Sequence, residues 1–294
     1  MPHSILQQLF PRIPETLQTL LTRPIAVVVV GLGLMSLLYR HCLLCYGSRK
    51  APLLPLLLFG LIILSLPEVT MAKMSAIPMI SAALVVLFVE LLVISYARQN
   101  SPFISFNSGV TIATLSLFHP GYLALLLIQL QKAERLKVNT PRHLSALTLG
   151  LVTTLLVALM LSAPPEWTAL RSTMLGYISS LRVTLTLPML PITSMLGVGI
   201  IVPALSAQGY FTQRRSTSRY RWMLLLHLLM MWVLLILYAL YSTQSGYLIS
   251  ALFFGSSACH YLITDSGSSP ALKWALLAGV LLCMIGAFST ISQP

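Results

Sequence analysis

Charged residues are scarce: they make up 8% of a 294-residue chain, and only six of them are acidic. Paired carboxylates, the commonest equipment for acid–base chemistry, have no obvious source here. Cysteine is scarce as well. Cys42 and Cys45 close the first apolar block, while Cys259 and Cys283 stand alone in later ones, so a disulfide framework is not expected. The segments between apolar blocks are all short, which leaves no room for a separate soluble domain. Residues 1–22 contain Pro11, Pro14, Glu15 and several glutamines, and they lack the unbroken apolar core of a cleavable signal peptide. The first apolar span is therefore expected to act as an uncleaved signal anchor.

What the chain has in abundance is hydrocarbon. Hydrophobic residues supply 57% of it, and the mean hydropathy is +0.88. The apolar residues come in blocks long enough to cross a bilayer. In that solvent every backbone N–H and C=O must pair within its own segment, so the blocks must be helices. The expected fold is all-α, a polytopic transmembrane helical bundle. Residues 1–22 form a pre-span segment and residues 23–294 a single integral membrane domain. The net charge of +12 comes from 18 Lys and Arg. These lie in short loops, where they set orientation against anionic lipid, so nucleic acid is not an expected partner.

The blocks predict about eight to nine spans at the usual length of one per bilayer thickness. They run over Pro24–Leu44, Leu53–Met71, Ala76–Ala97, Phe103–Leu130, Leu144–Leu161, Met174–Phe211, Trp222–Tyr241, Tyr247–Ile263 and Leu272–Ile291. A tight turn at Ala72–Ser75 makes the second and third an antiparallel hairpin. Phe103–Leu130 is too long for one upright span and too short for two, and His119-Pro120-Gly121 interrupts it. It is either one kinked helix or a broken, re-entrant segment. Pro188, Pro191 and Pro203 divide Met174–Phe211, which suits a surface helix paired with a span. Trp167, after Pro164-Pro165-Glu166, is placed as an interfacial anchor. If residues 103–130 turn back and the N-terminus is outside, the basic clusters at Arg40–Lys50, Lys132–Arg142 and Arg214–Arg221 all face the cytoplasm. A single crossing with the N-terminus inside gives nearly the same asymmetry. No internal repeat points to a transporter of two related halves.

Several short motifs carry a resemblance. Pro52-Leu53-Leu54-Pro55 leads to Leu64-Ser65-Leu66-Pro67-Glu68, then to Ile94-Ser95-Tyr96-Ala97-Arg98-Gln99. Phe106-Asn107-Ser108-Gly109 follows, and then Leu115-Ser116-Leu117-Phe118-His119-Pro120. This order resembles an uncharacterised family of multi-pass inner-membrane proteins of Bacteroidota, known as a domain of unknown function. The likeness is strongest over Pro24–Leu161. Members of that family begin with a further apolar span, which residues 1–22 do not supply. The resemblance implies a bacterial inner-membrane location and no particular activity. The run into Leu117-Phe118-His119-Pro120 is also similar, more loosely, to a stretch of the GT-C glycosyltransferases, which use polyprenyl-linked sugars. Those enzymes rely on acidic residues in a large external loop, whereas Glu15, Glu68 and Glu166 here stand singly.

Candidate functional residues are few. Glu90 lies deep in the third block, where a carboxylate must be protonated, paired or wet. It is either a proton or cation relay or a fixture of helix packing, with Arg182 as a candidate partner. His119 could titrate in the working pH range, or could satisfy carbonyl groups freed at the break. His227 and His260 read as packing or hydrogen-bonding residues within spans. His41, Cys42 and Cys45 suggest a metal, but a structural zinc site needs four ligands and no second Cys/His pair stands at suitable spacing. No metal and no cofactor are therefore expected. Gly255-Ser256-Ser257-Ala258-Cys259-His260 lacks the flanking pattern of an intramembrane serine protease, and its small residues suit close helix packing. Arg214, Arg215, Arg219 and Arg221 could meet lipid phosphates or an acidic partner, or could simply set topology.

The expected function is that of a non-enzymatic assembly or accessory component of envelope biogenesis. Its expected partners are membrane lipids and other inner-membrane envelope proteins. Two alternatives stay open. One is an enzyme or carrier for a lipid-linked polyprenyl substrate, the other a proton- or ion-coupled transporter using Glu90.

Overall fold

The computed structural model describes residues 24–46, 76–97, 101–135, 141–161, 218–241 and 245–264, with scattered positions between 55 and 60 and between 270 and 285. Among the described residues there are helices and no strands. They are α1 (Pro24–Tyr46), α2 (Ile77–Ala97), α3 (Pro102–Phe118), a 3₁₀ turn (Pro120–Ala124), α4 (Leu125–Arg135), α5 (Pro141–Leu161), α6 (Ser218–Leu240) and α7 (Ser245–Thr264). Four stretches are long and apolar enough to cross a membrane: Ile25–Cys45, Ile77–Ser95, Pro141–Ala158 and Trp222–Leu240. This is the helical, membrane-embedded class that the apolar blocks imply.

The helices extend past the apolar blocks that announce them. Gln131, Lys132 and Arg135 continue α4 rather than opening a loop, and Arg219 and Arg221 lie in the first turn of α6. Hydropathy marks the part of a helix that sits in hydrocarbon, not the turns that run on into the headgroup region. The expected hairpin turn at Ala72–Ser75 and nearly all of Leu53–Met71, Met174–Phe211 and Leu272–Ile291 lie outside the described residues.

The described helices belong to two compact units, divided within α2 between Ala82 and Ala83. In the first, α3 and α5 pack closely along each other. The reason is local. A methyl group at Gly109 would collide with the Leu147 carbonyl and come within 3.1 Å of the Leu151 nitrogen. One at Gly150 would strike the Phe106 carbonyl and reach 3.1 Å from the Val110 nitrogen. Two glycines thus let two backbones touch, which is how helices associate where lipid removes the hydrophobic drive. At one end of this crossing Ser105 Oγ and His143 Nδ1 are 3.0 Å apart. Other hydroxyls turn back on their own helices: Thr111 donates to the Asn107 carbonyl at 2.8 Å and Thr154 to that of Gly150 at 2.8 Å. Their polar groups are thereby satisfied without water.

α3 stops because of Pro120. A residue before proline is driven out of the helical region, and His119 is extended, with φ −160° and ψ 131°. Its Nδ1 accepts a hydrogen bond from the Gly121 N–H at 3.1 Å, and its carbonyl accepts from Tyr122 at 3.1 Å. α4 then follows directly from the 3₁₀ turn.

In the second unit α6 and α7 form a hairpin across the short connection 241–244, and α1 packs against both. α7 is the core helix. Tyr247, Ile249, Ser250, Phe253, Phe254 and Ser257 are fully buried. α1 is apolar all round, yet it buries one stripe only: Leu34, Leu38, His41, Cys42 and Cys45. That spacing is one face of a 3.6-residue helix. Ile25, Val28, Val29 and Leu32 point the other way and are exposed.

Candidate functional site

A buried polar cluster lies in the second unit, between the C-terminal half of α1 and the N-terminal half of α6. His41 and Cys45 are one helical turn apart on α1, so both side chains emerge on the same face. His227 projects from α6 to meet them. His41 and His227 are fully buried and Cys45 is 2% exposed.

Hydrogen-bond chemistry fixes the proton positions. Nδ1 of His227 lies 2.6 Å from the Met223 carbonyl oxygen, one turn back on α6. A carbonyl can only accept, so Nδ1 carries the proton and Nε2 of the neutral ring presents a lone pair. Nε2 of His41 lies 2.8 Å from that lone pair and donates to it. Cys45 Sγ completes the group, 3.5 Å from His41 Nε2. Beside it, the Cys42 thiol donates to Ser257 Oγ on α7 at 3.7 Å.

The walls of the cluster are aromatic. Phe253 and Phe254 stack their edges on the two imidazoles, with centroids 5.5 Å from His41 and 5.7 Å from His227 respectively. Phe59 backs Phe253 at 5.7 Å. These rings hold the imidazoles in place and keep water away from them. Three donors, His41, Cys45 and His227, have their ligand atoms within 4.8 Å of one another.

The residues singled out from sequence are dispersed. Glu90 is buried on α2 at 4% exposure, in the first unit. His119 is also in the first unit, buried at the break, where its Nδ1 accepts the Gly121 amide. Arg182, Arg214 and Arg215 lie outside the described residues, as do the side chains of Arg219, Arg221 and His260. His227 makes hydrogen bonds, as expected for a histidine within a span. In the Gly255–His260 stretch, a methyl group on Gly255 would come within 3.3 Å of Met231 Sδ on α6.

Sequence reasoning weighed His41, Cys42 and Cys45 and missed their union with His227, which is 186 residues away. A usable signal was present. His41, Cys42 and Cys45 recur at helical spacing with Leu34 and Leu38, on the face of α1 away from the charged Arg40. Comparison of the chain with family models, curated protein sequences and solved structures finds no match.

Proposed function

We propose that this chain is a multi-pass component of a bacterial inner membrane that serves envelope biogenesis as an assembly or accessory factor. The observation that supports this most is the division of labour on its helices. Histidine, serine and cysteine side chains are spent on joining helices inside the units, as at His41–His227, Cys42–Ser257 and Ser105–His143. The outward faces are broad and apolar, as on α5, where Leu149, Val152, Leu156 and Met160 are exposed. Such faces suit lipid and the apolar helices of other membrane proteins. About eight or nine crossings, with the basic clusters on the cytoplasmic side, remain the reading that suits the charge pattern. The resemblance to a Bacteroidota inner-membrane family agrees with this location. The test is purification from the native membrane in mild detergent. An accessory factor co-purifies with an envelope protein in fixed stoichiometry, and its depletion destabilises that protein. A monomer whose removal leaves every envelope complex intact contradicts the reading.

A second reading, a carrier or enzyme for a lipid-linked polyprenyl substrate, draws on the break at His119. Backbone broken within the membrane is tolerated where it lines a protein-enclosed or wet site. Gln129 on α4 is 5% exposed, and its Oε1 has no hydrogen-bond partner among the described residues. Depletion followed by profiling of lipid-linked intermediates separates the readings. Accumulation of one intermediate favours the carrier, and an unchanged profile favours the accessory factor.

A further inference from the structure

We propose that His41, Cys45 and His227 form a three-coordinate site for a monovalent copper ion. The inference is independent of the accessory role.

Geometry comes first. An imidazole nitrogen sits about 2.0–2.1 Å from a bound first-row metal, and a thiolate sulfur about 2.3 Å. Two such nitrogens on one ion are then roughly 3.3–3.6 Å apart, and sulfur and nitrogen roughly 3.6–3.8 Å. The structure has His41 Nε2 and His227 Nε2 at 2.8 Å, and Cys45 Sγ and His41 Nε2 at 3.5 Å. The two rings need to part by less than an ångström.

Orientation comes second. A metal-binding histidine characteristically donates its remote N–H to a carbonyl or carboxylate, which fixes the tautomer and aims the other nitrogen at the ion. His227 has that arrangement already, with Nδ1–H on the Met223 carbonyl and the Nε2 lone pair directed at His41.

Charge selects the ion. The three donors are fully or almost fully buried and walled by Phe253 and Phe254. An uncompensated charge in such surroundings is costly. One thiolate and two neutral imidazoles cancel a single positive charge, so a monovalent ion leaves the site neutral. A divalent ion on the same donors would leave a buried positive charge. Thiolate and imidazole are donors that Cu(I) accepts readily, and three of them complete a trigonal Cu(I) shell, so charge balance is what sets it apart from zinc here.

Binding balances without a redox step. Copper enters as Cu⁺. The Cys45 thiol loses its proton to solvent as the Cu–S bond forms. The proton on His41 Nε2 moves to His41 Nδ1, and both Nε2 lone pairs bind the ion. One positive charge enters and one leaves.

The test is anaerobic titration of the purified full-length protein in detergent with Cu(I), in competition with a chromophoric Cu(I) chelator. X-ray absorption of the copper-loaded protein accompanies it. The expected result is one Cu(I) per chain and a scattering shell of two nitrogens and one sulfur. Cys45→Ser and His227→Gln should each weaken binding roughly 100-fold or more. Cys42→Ser, which alters only the contact with Ser257, should leave affinity nearly unchanged. Helical content by circular dichroism guards against misfolded variants, and the absorption spectrum of the unaltered protein needs no variant at all. Failure of the unaltered protein to compete for Cu(I), a shell without sulfur, tighter binding of Zn(II) than of Cu(I), or full affinity in Cys45→Ser would overturn the proposal.

Discussion

Nε2 of His41 and Nε2 of His227 lie 2.8 Å apart, joining α1 to α6 across 186 residues of sequence. The contact joins two fully buried rings inside the second unit. Removing His227 takes from His41 its 2.8 Å hydrogen bond, a loss of about 0.5–1.5 kcal/mol. His227→Leu alone should therefore lower the thermal midpoint in detergent. The double variant His41→Leu/His227→Leu should lose less than the sum of the two single variants, because their shared contact is removed only once. Midpoints that add independently in the double variant would show that the two rings do not interact.

Gly109 and Gly150 allow α3 and α5 to touch, so a side chain at either position must push the helices apart. Gly109→Ala and Gly150→Ala should each destabilise the first unit by about 1–3 kcal/mol, the usual cost of overpacking. Gly33 on α1 is the control. Nothing lies within 4 Å of a methyl group there, and Gly33→Ala should be neutral or should stabilise the helix by about 0.5–1 kcal/mol. Thermal unfolding followed by circular dichroism distinguishes the three variants. Equal effects at all three positions would contradict the close crossing.

His119 closes the break by accepting the Gly121 amide. His119→Asn keeps a side-chain acceptor and should be well tolerated. His119→Leu loses it and should cost about 1 kcal/mol, as removal of a helix N-cap does. Amide exchange at Gly121, read by mass spectrometry on a peptide covering residues 119–124, should quicken in the leucine variant only.

Glu90→Gln retains shape and hydrogen-bonding capacity while removing ionisation. For an accessory factor, co-purification and stability should be close to those of the unaltered chain. A proton- or ion-coupled transporter would instead lose uptake in proteoliposomes completely. The substitution thus decides between two readings of one buried carboxyl.

Much of the helical frame is legible in the sequence because lipid imposes a simple rule. An apolar run of bilayer length must be a helix, and Pro24–Leu44, Ala76–Ala97, Leu144–Leu161 and Trp222–Tyr241 each coincide with one within a few residues. His119-Pro120-Gly121 announced the break, since proline acts on its predecessor through local sterics. The His41–His227 contact was not legible. Periodicity identifies the inner face of α1 but not which helix covers it, and the ligand count of a metal site depends on that pairing. Searching for a second Cys/His pair by spacing looked along the chain for what the fold supplies across it. The Gly109–Gly150 crossing was hidden for the same reason, because each glycine is unremarkable within its own span.

The most direct measurement places nitroxide labels at Val152 and Met160, two exposed positions of α5, in protein reconstituted into bilayers. Collision rates with oxygen, which partitions into lipid, are then compared with those of a water-soluble nickel chelate. Strong relaxation by oxygen and almost none by the chelate is expected at both sites. The reverse order, with the chelate reaching both labels freely, would mean that water surrounds this helix and would contradict a membrane-embedded fold.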